Sequence, residues 1–269
     1  MGWLSNLSTP KMGSLMCSSI TIVTPTFQAA NTLKYCLNSV AAQSVGVEHI
    51  LIDGGSADGT LDIIRHNGKH LAQVVSEPDQ GVYDAMNKGI KLATGDIIGI
   101  LNADDFYPSS DVLSLVLDAF SDPAIDACYG DLCYVDSQDI TRVVRYWVSG
   151  KYVLGKFYHG WMPPHPTFFV RRSVYERFGL FNLKMGSAAD YEIMLRFLLK
   201  YKVHAVYIPH TLVHMRTGGV SNASLMNRLR ANRMDREAWR VNDLQPRPWT
   251  LAMKPLRKLR QWFVQPNEI

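Results

Sequence analysis

Asp96-Ile97-Ile98-Gly99-Ile100-Leu101-Asn102-Ala103-Asp104-Asp105 is an apolar run that ends in two adjacent carboxylates. With Ala93-Thr94-Gly95 before it as a helix exit, the run reads as a buried parallel strand. Open α/β sheets bind ligands beyond the carboxyl ends of their strands, so the acid pair stands where a ligand would. Two unpaired carboxylates side by side repel each other, and a divalent cation carrying a diphosphate is the economical reason to put them there. The other reading is a plain strand-to-turn boundary, where Asn and Asp are common.

Upstream of this strand the chain alternates strand and helix patterns. Ser19-Ile20-Thr21-Ile22-Val23-Thr24 reads as a strand, followed by a helix capped at Asn31 with Leu33, Cys36, Leu37, Val40 and Ala41 on one face. A second strand, 47–52, runs into the turn-rich Asp53-Gly54-Gly55-Ser56-Ala57-Asp58-Gly59-Thr60 and a helix from Leu61, with Asp58 as its cap. A short strand at 72–76 and a helix marked by Val82, Met86, Ile90 and Ala93 complete the pattern. Repeated βα units predict a parallel sheet with helices on both faces. After Asp105 a helix at 110–120 and strand-like segments at 125–135 and 142–147 alternate less regularly, so the sheet is expected to turn mixed.

The chain has 269 residues, 47% of them hydrophobic, enough for one large core with a small appended unit. Its net charge of +4 conceals an asymmetry: residues 1–150 hold 8 Lys+Arg against 17 Asp+Glu, and residues 151–269 hold 20 against 7. An acidic half that must hold phosphate needs a metal to reverse the local sign, whereas the basic half suits an anionic partner or surface. Cys17, Cys36, Cys128 and Cys133 lack metal or redox spacing and read as reduced thiols. No run of 18 apolar residues and no secretion-type start is present, so a cytoplasmic location is expected.

Four segments, in order, resemble family 2 glycosyltransferases of the GT-A fold. They are Ile22-Val23-Thr24-Pro25-Thr26-Phe27, Ile52 to Thr60, Asp84-Ala85-Met86-Asn87-Lys88-Gly89-Ile90 and Leu101-Asn102-Ala103-Asp104-Asp105. The resemblance covers residues 18–220. It implies a Rossmann-like mixed sheet flanked by helices, with a nucleotide-binding half (18–107) and an acceptor half (108–220). Residues 1–17 are then a loose extension and 221–269 a basic helical tail. The implied reaction is an inverting, metal-dependent transfer of a sugar from a nucleotide diphosphate donor, a UDP-sugar, to a hydroxyl of a lipid-linked or saccharide acceptor in bacterial surface polysaccharide assembly.

Carried over position by position, the resemblance places Pro25, Thr26 and Asp53 at the donor's base and ribose. Asp53 also has a purely local reading, as a turn aspartate bonding the amides of Gly55 and Ser56. Asp79 and Lys88 are candidates to line the donor pocket, with a solvated helix position as the other reading of Lys88. The family's Asp-x-Asp motif falls on Asn102-Ala103-Asp104, so Mn²⁺ or Mg²⁺ would rest on Asp104, helped by Asp105 and His214. Arg216, in His214-Met215-Arg216-Thr217-Gly218-Gly219, is expected to neutralise the leaving diphosphate. Asp190 is the expected base, although Ser187 and Asp190 also have capping-box spacing and the usual first acid of the pair is Ala189. The prolines of Trp161-Met162-Pro163-Pro164-His165-Pro166 are expected to hold Trp161, as a stacking surface, and His165 toward the acceptor.

From Arg228 to Arg260 the tail carries ten basic and three acidic residues. Ala252, Leu256, Leu259 and Phe263 on one face, with Lys254, Arg257, Lys258 and Arg260 around them, form a basic amphipathic helix suited to an anionic cytoplasmic leaflet. Docking onto protein is the competing reading, and no nucleic-acid motif accompanies the charge. Two other functions fit less well. A catalytically weak nucleotide-sugar-binding protein would explain Asn102 and Ala189, and a dinucleotide enzyme is disfavoured because no GxGxxG follows the first strand.

Overall fold

The structure is a computed structural model that describes residues 18–218 and 225–260, with side chains described through 218 and over 232–257. The loose extension expected at 1–17, and Gly219, Phe263 and the end of the tail, lie outside the described residues. The alternation read from the sequence is realised as β1 (Ile20–Thr26), α1 (Leu33–Ala41), β2 (Glu48–Asp53), α2 (Thr60–Asn67), β3 (Gln73–Ser76), α3 (Val82–Leu92) and β4 (Ile97–Ile100). These four strands are mutually parallel in the order β3-β2-β1-β4.

The chain runs from β1 outward to β2 and β3 and then returns to the opposite side of β1 as β4. That reversal leaves a crevice beyond the ends of β1 and β4, the place where such sheets bind ligands. Phe27 follows β1 there, and Asn102 to Asp105 follow β4. α4 (Val112–Ala119), β5 (Ala127–Val135), β6 (Val143–Trp147) and β7 (Phe169–Arg171) come next. β7 inserts antiparallel between β4 and β5, which is where the sheet becomes mixed. β8 (Ala205–Arg216) lies parallel to β5.

Alternate residues of one strand enter different cores. Val23, Ile50 and Ile98 face α3, and with them pack α5 (Arg172–Phe178), α6 (Ala189–Met194) and α7 (Leu225–Val241). Ile22, Leu51 and Ile97 face α1, α2 and α4. Helix layers on both faces of a mixed sheet make the molecule an α/β protein, the architecture that the resemblance implies.

The described part of the tail packs against this body. Trp239 of α7 is fully buried and its indole N–H donates to Tyr191 Oη at 3.0 Å, while Asn242 Nδ2 donates to Glu192 Oε1 at 3.1 Å. α8 (Thr250–Arg260) approaches Gly160 so closely that a Cβ there would sit 2.5 Å from the Lys254 backbone nitrogen. Lys254 turns inward, 2.8 Å from Asp235 and over the Tyr191 ring. α7 and α8 therefore brace α6 from behind. Ala252 and Leu256, the expected apolar face, point outward.

Candidate active site

The loops after β1 and β2 are tied into one unit by the turn-rich segment 53–60. Asp53 is fully buried and uses both oxygens locally. One accepts from the amides of Gly55 (3.1 Å) and Ser56 (3.0 Å) and from Ser76 Oγ (2.7 Å), and the other accepts from Ser56 Oγ (2.5 Å). Ser56 Oγ in turn accepts from the Gln28 amide at 2.8 Å, and Thr60 Oγ1 from the Ala29 amide at 2.8 Å. Asp58 accepts from the Thr60 amide, one position outside the N-cap, which is Gly59 and not the expected Asp58. This lattice holds the loop that exposes Phe27, whose surface is 63% accessible.

Beyond β4, Asp104 is half-buried, and its carboxylate takes no hydrogen bond among the described residues. Asp105 lies beneath it, fully buried, and accepts from Asn102 Nδ2 at 3.2 Å. Burial, reinforced by the Asp104 charge, raises the Asp105 carboxyl well above the usual carboxylate range. Asn102 Oδ1 and Asp105 Oδ1 are buried acceptors without partners among the described residues.

Across the crevice, α6 presents Asp190 in its first turn. Asp190 Oδ1 accepts from the Tyr191 amide at 2.7 Å, and Oδ2 lies 3.3 Å from His165 Nδ1. The residue before the helix is Ala188, without a side-chain cap, so Ser187 and Asp190 do not form the capping box. Asp190 and His165 border a pocket with Tyr83, Met86, Ile100 and Phe168. Its inclusion of Ile100 sets the Asp190 and His165 pair beside the end of β4. Burial raises the Tyr83 phenol well above its usual value, with the nearby Asp190 charge contributing.

Residues 21–179 match the family model for glycosyl transferase family 2. The chain belongs to family 2 of the glycosyltransferases. It is 34% identical over 210 residues to a PGL/p-HBAD biosynthesis glycosyltransferase of Mycobacterium bovis (strain BCG / Pasteur 1173P2), covering 75% of this chain and 78% of that relative. An uncharacterized glycosyltransferase of Mycobacterium tuberculosis (strain ATCC 25618 / H37Rv) is 31% identical, covering 66% of this chain and 68% of the relative. The fold is that of S. aureus TarS 1-349 in complex with UDP-GlcNAc, with a TM-score of 0.69 at 16% identity over 90% of this chain and 73% of that one. Mannosyltransferase PcManGT from Pyrobaculum calidifontis, in complex with GDP-Man and Mn²⁺, aligns with a TM-score of 0.62 at 19% identity over 92% and 76% of the two chains.

Within this glycosyltransferase several expected residues do other work. Trp161 is no stacking surface: it is 3% exposed, stacked on Tyr152 and edge-on to Tyr129 and Phe157, and its N–H donates to Ser149 O. A large aromatic ring gains most from burial, and the prolines direct it inward. Asp53 follows its local reading: it is fully buried, and both of its oxygens already accept hydrogen bonds from the scaffold. Pro25 and Thr26 are buried in β1, which leaves Phe27 and Gln28 exposed in that loop. Lys88 lies 2.7 Å from Glu77 and 3.6 Å from Asp84, and donates to Pro78 O at 3.2 Å. It braces the 77–84 turn instead of facing a donor.

The expected metal trio does not assemble. No group of three His, Cys, Asp or Glu among the described residues could hold an ion. Asp105 is fully buried and engaged by Asn102 Nδ2. His214 is paired through its backbone with Phe106 and lies edge-on to that ring, and burial lowers its pKa. Asp104 fits: a half-buried carboxylate with no cation or donor beside it among the described residues suits Mg²⁺ or Mn²⁺ whose other ligands are diphosphate oxygens and water. Arg216, at the end of β8, is 7% exposed beneath Tyr35 and Phe106, and its Nε and Nη2 have no partner among the described residues. The pairing of His165 with Asp190, 25 positions apart, and the exposure of Phe27 carry no local signal in the sequence.

Proposed function

We propose that this glycosyltransferase moves a sugar from a UDP-sugar to a hydroxyl of a lipid-linked or saccharide acceptor, with inversion, in bacterial surface polysaccharide or glycolipid assembly. The observation that carries the reading is the Asp190 and His165 pair, in a pocket at the end of β4, four residues before Asp104. Such a carboxylate can take the acceptor proton on the face opposite a leaving group held beside Asp104. The acceptor oxygen forms its bond to the anomeric carbon as the bond from that carbon to the β-phosphate oxygen breaks. The proton passes to Asp190 and the electron pair leaves with UDP. His165 lies against the Asp190 carboxylate, with Nδ1 3.3 Å from Oδ2, and positions it. A divalent ion on Asp104 and the diphosphate would supply Lewis-acid stabilisation of the leaving group. The UDP-GlcNAc complex of TarS and the GDP-Man and Mn²⁺ complex of PcManGT support a nucleotide-sugar donor and a metal. The name of the mycobacterial relative supports a role in glycolipid biosynthesis.

Among the described residues no helix is long and apolar enough to cross a membrane. Attachment to the cytoplasmic face of an anionic membrane is supported by α8, where Leu256 is 53% exposed in a basic helix and Trp249 just before it is half-exposed. The test is release of UDP from a panel of UDP-sugars with Mn²⁺ or Mg²⁺ and membrane lipid extract. Asp190→Asn should lose about 10²- to 10⁴-fold in kcat while keeping UDP affinity. Asp104→Asn should lose the metal-dependent part of UDP binding. An Asp190→Asn enzyme that turns over within threefold of wild type, roughly the noise of such an assay, would sink the assignment.

A further inference from the structure

Gly54 follows the buried Asp53, and its backbone is not in the left-handed region that favours glycine. The reason for a glycine here is space. A Cβ at position 54 would lie 2.6 Å from Asp79 Oδ2 and 3.3 Å from Phe27 Cδ2. The Asp79 carboxylate therefore occupies the volume that a side chain at 54 would fill, and the Phe27 ring borders the same point. Asp79 Oδ1 accepts from the Gly81 amide at 2.7 Å, while Oδ2 has no hydrogen-bond donor among the described residues.

Both groups are held in place. The turn carrying Asp79 is braced by Lys88 through Glu77 and Pro78, and by the Gln80 amide on Asp84 at 3.1 Å. The Phe27 loop is pinned by Ser56 and Thr60 through the amides of Gln28 and Ala29. An apolar ring left exposed on a pinned loop, beside a carboxylate oxygen with a free lone pair, suits a flat heterocycle. It would stack on the ring and donate an in-plane N–H to the oxygen. Uracil offers such a donor at N3, whereas cytosine presents a lone pair there that a carboxylate repels. Gly54 hydrogen-bonds to Thr26 O at 2.9 Å, which sets this pair at the β1 side of the crevice, alongside the Asp104 edge.

We propose that Asp79, seated in the space left by Gly54 and against Phe27, is the carboxylate that reads the imide N–H of a uracil on the donor. The assignment rests on the nucleotide-sugar reading above, and takes over the role that the sequence suggested for Asp53.

The experiment is calorimetric titration of the full chain with UDP, CDP and GDP in Mg²⁺, for wild type, Asp79→Asn, Gly54→Ala and Phe27→Ala, with thermal melting as the folding control. Wild type should prefer UDP over CDP. Asp79→Asn should weaken UDP about ten- to a hundredfold and narrow or invert that preference, because a carboxamide N–H can donate to cytosine N3. Gly54→Ala should displace the carboxylate and reproduce the UDP loss with Asp79 intact. Phe27→Ala should weaken UDP and CDP by the same factor. An unchanged ratio of UDP to CDP affinity in Asp79→Asn overturns the assignment while leaving the donor reading standing. Tightest binding of GDP, lost in Asp79→Asn, overturns uracil as the base. Failure of folded wild type to bind any of the three overturns the donor reading and this assignment together.

Discussion

Lowering the pH from 7 to 5 is expected to cost this fold about 2 kcal/mol through a single residue, His49. His49 is fully buried in β2, with Nε2 2.9 Å from Thr24 Oγ1 and Nδ1 2.9 Å from His70 Nε2. Burial, with the His70 ring adding to it, pulls its pKa from 6.5 down to about 3. The unfolded chain protonates this imidazole below pH 6.5 while the folded chain keeps it neutral. A folded value below the unfolded one contributes its stability above the unfolded value and loses it as the pH falls toward the folded one. One pH unit in that window is worth about 1.4 kcal/mol, so the roughly 1.5 units between 6.5 and 5 give the figure above. At a urea m-value of about 2.5 kcal/mol/M, the midpoint should fall by about 0.8 M. Carboxylates titrate in the same range, so the comparison is with His49→Gln, whatever its stability at pH 7. Urea unfolding followed by tryptophan fluorescence at both pH values should show wild type losing about 2 kcal/mol more than the variant. Equal losses in the two proteins, within about 0.5 kcal/mol, would refute the reasoning. The charge enters between β1 and β2, the strands whose ends carry the Phe27 loop and Asp53.

Two further outcomes separate local roles. Trp161→Ala should destabilise the fold by about 3–5 kcal/mol, read as a fall of about 10 °C in Tm, with the acceptor KM of the folded enzyme unchanged. A raised KM with the Tm intact would restore the stacking role. Leu256→Glu should abolish sedimentation with vesicles containing anionic lipid, and raising salt should weaken wild-type binding; equal binding by the two proteins would remove α8 from any membrane contact.

The first half of the fold was legible because each strand and helix there carries its own period, and a parallel βα repeat follows from their alternation. The antiparallel insertion of β7 was not. Its neighbours β4 and β5 pair with it across long stretches of chain, and no local period encodes such a register. In the same way the sequence marks His165 and Asp190 as separate candidates, and only the packing of α6 over the 165–167 turn brings the imidazole to the carboxylate.

Asp53 and Asp79 show where residue type stops being informative. Both are acids in turn-rich segments after strands of the same sheet, and the motif at 52–60 draws attention to Asp53. Yet that motif, together with Ser76 at the end of β3, surrounds Asp53 with the amides of Gly55 and Ser56 and the hydroxyls of Ser56 and Ser76, all within hydrogen-bond reach. A carboxylate so saturated is part of the scaffold, and a ligand would have to break bonds already made to reach it. Asp79 keeps one oxygen unused, and the clue to it is a glycine in a different loop. Glycine at 54 has two readings from sequence, a left-handed backbone or a close approach, and the two differ in what an alanine there would do. The backbone angles remove the first reading, and the 2.6 Å approach of Asp79 Oδ2 supplies the second. A functional acid can thus be located by the residue that makes room for it, once φ and the neighbouring atoms are known.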